Sequence, residues 1–211
     1  MKIPRLEKKP EVKSCHNREW KDDYSWIHQK NILEVLKDGS KLLPEVKKYL
    51  EEENDYAEYN LKDTKKLQKE LFKEIKGRIK LDDESLPFKD YNYEYWTKTT
   101  TEGNYSIKLR KKIGSNKIEE IWNGDREKKK LNTKYFGVGD LEVSWNDKYL
   151  GYSLDLKGSE YYTIYLRDLR TGKNEKDIVE NTSGSVTWAL DNKSFFYSKL
   201  DQYHRPRQIF K

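Results

Sequence analysis

The serine and histidine residues are the side chains of this sequence that could perform acyl transfer. A serine nucleophile for that reaction commonly lies on a strained G-x-S-x-G turn and works with a histidine and an acidic residue. Four Gly-Ser pairs occur without that flanking pattern, ending at Ser40, Ser115, Ser159 and Ser185. The three histidines have no nucleophile near them in a motif: His16, His28 and His204. We therefore predict no catalytic residue in this chain.

Metal binding is the second chemistry to consider. Cys15 and His16 are adjacent, but a tetrahedral site needs a second pair of ligands that the sequence does not supply. The acidic runs Asp22-Asp23 and Asp82-Asp83-Glu84 could bind a cation weakly, although solvated turn acids are the better interpretation. We predict no metal ligand, no cofactor and no substrate-binding residue.

Charged residues are interleaved along the chain, with 43 basic and 37 acidic side chains and a net charge of +6. This pattern is typical of a solvated surface and not of a stripe that follows phosphates. The densest basic run, Arg126 to Lys130, is expected in a loop. Tyr91, Tyr93 and Tyr95 could stack on single-stranded bases, but the interleaved acids and the repeat described below favour a sheet core. We predict no nucleic-acid partner.

The single cysteine, Cys15, excludes an internal disulfide and is typical of a reducing compartment. No apolar run approaches the roughly 20 residues that span a bilayer. The charged N-terminal stretch lacks the apolar core of a secretory signal. We predict a cytoplasmic protein without a membrane partner.

The elements that would position these side chains begin with a helical region. Residues 1–21 are expected to be extended and poorly anchored, since Pro4 and Pro10 oppose a helix. Short and long helices are predicted at 31–37 and from Pro44 towards Tyr59, because proline suits a first helical turn. Asp63 or Thr64 is expected to cap a third helix. That helix carries an apolar stripe, which must be buried against a partner element: Leu67, Leu71, Phe72, Ile75 and Ile79. No strand is expected in the first 85 residues.

From Tyr91 onward the pattern alternates with a period of two, which indicates strands with one face packed inward. The clearest pair is Tyr149 to Asp155 and Tyr161 to Arg167, joined by a turn at Lys157-Gly158. Further strands are predicted at 91–97, 105–109, 118–122 and 135–138. The second half of the chain is therefore predicted to be all-β.

This strand pair belongs to a repeat. Val143-Ser144-Trp145 is echoed by Val186-Thr187-Trp188, and the segment 152–155 is echoed by 197–201. The offset of about 43 to 46 residues is that of a four-stranded propeller blade. Two unrelated hairpins that share Val-x-Trp remain the alternative interpretation.

Several motifs carry a family resemblance across essentially the whole chain: His16-x-Arg18, Asp22-x-Tyr24-x-Trp26, Tyr49 to Tyr56, Leu67 to Ile79, Asp82 to Pro87, Gly158 to Thr163 and Asp201-x-x-x-Arg205-Pro206. In this order they resemble the prolyl oligopeptidase family, specifically its oligopeptidase B (protease II) branch. Asn17 departs from the family, which usually has glycine after the histidine. The departure is expected to cost little because position 17 lies in a loose arm.

The resemblance implies a cytosolic serine peptidase built from a seven-bladed propeller and an α/β-hydrolase domain, with cleavage after Arg or Lys. It implies that the helical arm packs on the hydrolase domain and that the propeller admits only short peptides. It also implies that the Ser, Asp and His of the triad lie far beyond position 211.

We therefore predict a mixed α and β fold, in which residues 1–85 form the arm and residues 86–211 form an incomplete β-propeller of about two to three blades. The expected function is that of a truncated N-terminal part of an oligopeptidase B-like serine endopeptidase, inactive alone. Two alternatives stay open. One is half of a split peptidase that assembles with a separate hydrolase chain and then acts on short basic peptides. The other is a stand-alone binding protein derived from a propeller.

Overall fold

A computed structural model describes residues 1–211 and divides them into two units, Met1–Ile79 and Lys80–Lys211. Four α-helices span Ile32–Lys37 (α1), Pro44–Leu61 (α2), Lys65–Gly77 (α3) and Gly124–Leu131 (α4). The strands are Glu11–Cys15 (β1), Arg18–Asp22 (β2), Asp83–Glu84 (β3), Phe88–Asp90 (β4), Tyr93–Thr99 (β5), Ile107–Lys112 (β6), Ile118–Asn123 (β7), Gly137–Val143 (β8), Tyr149–Asp155 (β9), Tyr162–Asp168 (β10), Lys173–Thr182 (β11), Thr187–Trp188 (β12), Phe195–Leu200 (β13) and Pro206–Phe210 (β14).

The first unit opens with an antiparallel hairpin, in which β1 and β2 pair from Glu11 opposite Asp22 to Cys15 opposite Arg18. The prediction of a loose extended arm without strands was therefore wrong, as the short strand β3 also shows. His16 and Asn17 form the hairpin turn with φ of 49° and 59°. A two-residue turn of this kind needs left-handed residues, and asparagine tolerates that region better than most non-glycine residues. Asn17 thus replaces glycine at a tight turn and not in a loose segment.

The three helices of the first unit follow the predicted pattern. Helix α2 begins with Pro44 in its first turn and ends two residues beyond the predicted Tyr59. The expected cap of α3 is wrong, because a 3₁₀ turn over Lys62–Thr64 leads from α2 directly into α3. The Thr64 hydroxyl donates backwards to the Leu61 carbonyl at 2.7 Å and makes no capping bond.

The apolar stripe of α3 lies in solvent. Four of its residues and Ile79, which follows the end of the helix at Gly77, are called the α3 stripe below. They are exposed by 46 to 67%: Leu67, Leu71, Phe72, Ile75 and Ile79. Val46 of α2 is the only buried apolar side chain among residues 1–79. The amphipathic pattern thus predicted the helix correctly, while the partner element that should cover it is not supplied by these residues.

The second unit begins with a sheet in the order β3-β5-β6-β7, with β4 also paired to β5. Tyr95 and Trp96 of β5 are buried, at 4% and 8% exposure. Tyr91, predicted to start the strand, instead lies in the turn between β4 and β5 with a φ of 47°. The strand therefore starts two residues later, because a left-handed residue cannot continue the extended backbone.

The basic run 126–130 lies in helix α4 and not in a loop, which corrects the prediction. The Asn123 side chain accepts from the Arg126 backbone N–H at 3.1 Å and so caps the helix. Acidic residues occupy the first turn and lysines the last turn, which complements the helix dipole. The loop was predicted because Asn123, Gly124 and Asp125, which precede the run, favour turns and helix starts alike.

A second sheet runs in the order β12-β13-β11-β10-β9-β8, with β14 added to β13. The predicted hairpin is confirmed, since β9 spans Tyr149–Asp155 and β10 starts one residue after the predicted Tyr161. Leu150, Tyr152 and Leu154 alternate into the core with Trp122 and Phe136. The Asp155 carboxylate accepts three backbone N–H groups of the turn that follows it.

Hydrogen bonds of both tryptophans link the second blade to the third. The Trp145 indole N–H donates to the Trp188 carbonyl at 3.0 Å, and the Trp188 indole N–H donates to the Glu142 carbonyl at 3.0 Å. The Asn146 backbone N–H also donates to the Asn192 side chain at 2.7 Å. The strand pairs Val143–Leu150 and Trp188–Phe195 set the offset between the two blades at 45 residues, so Trp188 corresponds to Val143 and not to Trp145. The three bonds therefore fasten one blade to the next, although the Val-x-Trp echo is out of structural register by two residues.

Candidate functional site

The three histidines lie in separate turns. His16 is in the β1–β2 turn, His28 follows a 3₁₀ turn, and His204 is in the β13–β14 turn. His204 Nε2 is 3.1 Å from the backbone carbonyl oxygen of Ser159, and its ring contacts Tyr161 edge-on at 4.6 Å. Its partner is the carbonyl and not the hydroxyl of Ser159, so this histidine is not placed to activate that serine.

Residues considered for metal binding lie in ordinary surface contacts. Cys15 is exposed at the end of β1. Asp23 pairs with Lys8 at 2.9 Å, and Asp83 pairs with Lys80 at 2.8 Å. No group of three or more His, Cys, Asp and Glu side chains that could hold a metal ion occurs.

An inner pocket of about 300 Å³ forms where the first strands of three successive blades, β4, β8 and β12, converge. Four carboxylates and no basic side chain line it. The lining residues are Asp90, Tyr91, Tyr95, Asp140, Glu142, Val143, Ser144, Trp145, Asp147, Val186, Thr187 and Trp188. The inner pocket is therefore a negatively charged surface with aromatic walls.

The walls of the inner pocket are held by turns that follow β4 and β8. Tyr91 and Asp147 occupy left-handed positions there, with φ of 47° and 61°. The rings of Tyr91 and Trp145 meet edge-to-face at 5.4 Å. The Tyr95 hydroxyl donates to Asp147 at 3.2 Å. Burial, and then the charge of Asp147, raise the pKa of Tyr95, so the phenol stays protonated and keeps this bond.

The carboxylates of the inner pocket repel one another. Partial loss of hydration raises the pKa of Glu142, and the neighbouring charges of Asp140 and Asp90 raise it further, against the opposing effect of Lys108. Asp140 is fixed by the backbone N–H of Val186 at 2.9 Å. A cation in this pocket would relieve the repulsion, so the geometry favours a positively charged ligand.

A second depression, the outer cleft, runs along β7 and has a volume of about 840 Å³. Eight basic and four acidic side chains contribute to its lining, which also includes the β10–β11 turn and one face of α4. Its charge is thus opposite to that of the inner pocket.

Two buried arginines form part of this lining. Arg110, 4% exposed, pairs with Glu119 at 2.9 Å and donates to the Asp147 carbonyl at 2.7 Å. Arg167, 8% exposed, pairs with Glu127 of α4 at 3.0 Å. These bonds satisfy both guanidinium groups and fasten the turns and the helix around the outer cleft.

Both depressions were missed from the sequence, which predicted no binding residue. One signal was available: the left-handed turn residues Tyr91, Asp147 and Asn192 mark the same position in three successive blades. The first interval is 56 residues and the second is 45, because α4 and its connections lengthen the first. Because the two intervals differ, the repeat could not be traced from the sequence back to the first blade.

The family follows from the comparison with known proteins. A family model described as the prolyl oligopeptidase N-terminal beta-propeller domain matches residues 4–209. The chain belongs to the prolyl oligopeptidase family. Its fold class, a helical segment followed by a partial propeller, is confirmed.

Two relatives show how much of such a protein the chain represents. It is 29% identical to dipeptidyl aminopeptidase BI of Pseudoxanthomonas mexicana, over 94% of this chain and 28% of that protein. It is 25% identical to protease 2 of Moraxella lacunata, over 100% of this chain and 30% of that protein. The chain therefore spans about 30% of the length of these relatives.

Solved structures show the same fold. Oligopeptidase B from Leishmania major matches 99% of this chain with a TM-score of 0.83 and 22% identity, over 30% of its own chain. Oligopeptidase B from Trypanosoma brucei matches 99% with a TM-score of 0.81 and 23% identity, also over 30%. These two structures confirm the fold, and the match to protease 2, together with the family model, bears out the predicted resemblance to the oligopeptidase B branch. None of the helices has the length and apolar character needed to cross a membrane.

Proposed function

We propose that this chain supplies the helical arm and the first propeller blades of an oligopeptidase B-like serine endopeptidase in the cytoplasm. The complete enzyme cleaves short peptides after Arg or Lys, and its Ser, Asp and His act from an α/β-hydrolase part outside these 211 residues. The blades restrict access to that part. The match of residues 4–209 to the family's propeller domain supports this proposal.

The inner pocket is the observation that carries the proposed preference for basic peptides. Three carboxylates of this pocket lie on the first strands of two neighbouring blades: Asp90 at the end of β4, and Asp140 and Glu142 on β8. No basic residue lines the pocket to balance their charge. In a closed propeller these strands would face the central channel. Carboxylates there attract a cationic peptide, and the faces of Tyr91 and Trp145 can hold a guanidinium group by a cation–π contact.

A binding measurement on the chain itself tests this role. A labelled peptide with two arginines is expected to bind more tightly than the same peptide with citrulline, which keeps the shape and removes the charge. Asp90→Asn with Glu142→Gln should weaken arginine-peptide binding by about tenfold, as expected for two exposed charge contacts. The matched control, Glu175→Gln with Asp177→Asn on exposed β11, should leave it unchanged. Equal binding of both peptides would refute the role of the inner pocket.

The hydrolase part is the proposed partner of the α3 stripe. Four large apolar side chains on one face of α3, together with Ile79 just after it, are exposed by 46 to 67% and form a surface that a second layer would bury. A hydrolase part could bury the α3 stripe whether it belongs to the same polypeptide or to a separate chain. Co-purification of this chain with an oligopeptidase B hydrolase part should be lost when Phe72→Gln and Ile75→Gln are combined.

Activity measurements separate the proposal from its alternatives. The purified 211-residue chain should not hydrolyse an arginine-containing chromogenic peptide, whereas its mixture with a hydrolase part should do so. Hydrolysis by the chain alone, blocked by a serine-directed inhibitor, would contradict the proposal. A stand-alone binding protein would instead melt cooperatively as a monomer and gain no activity on mixing.

A further inference from the structure

The outer cleft carries an excess of positive charge that its own contacts do not consume. Three of its four acidic lining residues are already paired with arginines: Glu119 with Arg110, Glu120 with Arg126, and Glu127 with Arg167. The fourth, Asp147, accepts hydrogen bonds from the side chains of Asn92 and Tyr95. Lys112 and Lys148 line the cleft, are exposed, and form no ion pair. Two lysines in the lining of the cleft that are not compensated by an acidic side chain favour an anionic ligand.

The cleft also contains a free strand edge. Strand β7 pairs only with β6, and the sheet order ends at β7. Every residue from Lys117 to Asn123 lines the cleft. The backbone N–H and C=O groups on the outer side of β7 therefore face a depression in which another strand could pair with them.

The dimensions suit a short extended segment. Strand β7 has six residues, and six residues of extended chain cover about 20 Å at roughly 3.3 Å per residue. The other walls are the β10–β11 turn, where Arg170 pairs with Asp168, and helix α4, where Lys130 pairs with Glu127. A strand laid along β7 would thus find Lys112 and Lys148 as the lysines of the lining without an ion pair.

We propose that the outer cleft binds an extended acidic peptide segment, which adds to the free edge of β7 and places its carboxylates near Lys112 and Lys148. The strand edge selects a peptide over an inorganic anion because only a peptide backbone offers alternating donors and acceptors. The charge selects acidic side chains. This site shares Asp147 with the inner pocket but has the opposite charge preference.

The test uses the 211-residue chain and a labelled six-residue peptide that alternates Glu and Thr. Fluorescence anisotropy should show saturable binding that weakens with added salt. The same peptide with Gln in place of Glu should bind at least tenfold more weakly. A charge-matched peptide with alternate backbone nitrogens methylated, which cannot pair with β7, should also lose binding. Hydrogen exchange should slow at the amides of 118–123 only with the unmethylated acidic peptide.

Variants locate the site. Lys112→Gln and Lys148→Gln, both exposed substitutions, should each weaken binding about fivefold. The control Lys176→Gln with Lys193→Gln removes two exposed lysines outside the cleft and should not change it. Equal binding of the methylated peptide, or tripolyphosphate binding as tightly as the acidic peptide, would overturn the proposal, because the cleft would then attract anions without strand pairing. No binding of the acidic peptide would overturn it as well.

Discussion

The two units of this protein treat their apolar residues in opposite ways. In residues 80–211, Trp122, Leu150 and Ile164 are at most 2% exposed. In residues 1–79, Val46 alone is a buried apolar side chain, and the α3 stripe lies in solvent. Sheets that repeat along the chain can cover one another, whereas an amphipathic helix needs a second layer to bury its face. The difference gives the strand unit a buried apolar core and leaves the α3 stripe of the helical unit exposed.

The largest expected effect tests the strand core directly. Leu150→Ala should lower the free energy of unfolding by about 3 to 4 kcal/mol, since Leu150 is fully buried among aromatic neighbours and its loss leaves a cavity. Leu71→Ala, at a site 46% exposed, should cost less than about 0.5 kcal/mol. Urea unfolding followed by tryptophan fluorescence measures both. A similar loss of unfolding free energy in the two variants would show that the two units do not differ in how they bury apolar residues.

The next effect concerns the ion pair that fastens α4 to the second sheet. Glu127→Gln should cost about 2 kcal/mol, because Arg167 keeps a hydrogen-bond partner but loses the counter-charge at a site where both side chains are 10% exposed. Glu120→Gln, which breaks the more exposed pair with Arg126, should cost below about 1 kcal/mol. Thermal unfolding compares the two. A larger loss for Glu120→Gln would mean that burial does not govern these pairs.

A smaller effect is expected where the helical unit is changed. Phe72→Gln with Ile75→Gln should leave the free energy of unfolding within about 0.5 kcal/mol of the parent, since both sites are exposed and glutamine is a good helix former. The variant should bind less of an apolar dye and self-associate less in size-exclusion chromatography. A marked loss of stability would show that the α3 stripe is covered in solution.

The smallest effect is a pH dependence in the third blade. Hydrogen bonds from the Lys193 backbone and then the Ser194 hydroxyl lower the pKa of Asp191 from 3.8 to about 2. A lowered folded-state pKa means that its stabilising contribution is present above about pH 4 and is lost as the pH falls towards 2. Carboxyl NMR titration should give a midpoint near 2 for Asp191, and Ser194→Ala should raise it. A midpoint near 3.8 in the parent protein would show that the turn is not formed.

Local patterns predicted much of the fold because their causes are local. Alternating residues placed β9 to the residue, and Pro44 placed the start of α2. The β1–β2 hairpin was missed because its turn uses His16 and Asn17 instead of glycine. Helix α4 was missed because its eight residues give a short, strongly basic pattern with little apolar periodicity. The hairpin and the helix were both missed at residues that occur in more than one type of local structure.

The sequence by itself determined the family, helices α1 to α3, the alternating strands of the second half and a repeat of about 43 to 46 residues. These properties depend on residue type and spacing, which a chain carries before it folds. Only the tertiary structure decided that acids from successive first strands share one pocket, that basic residues gather along β7, and that the α3 stripe stays exposed. Each of these depends on contacts between residues far apart in the chain, so no local pattern contains them.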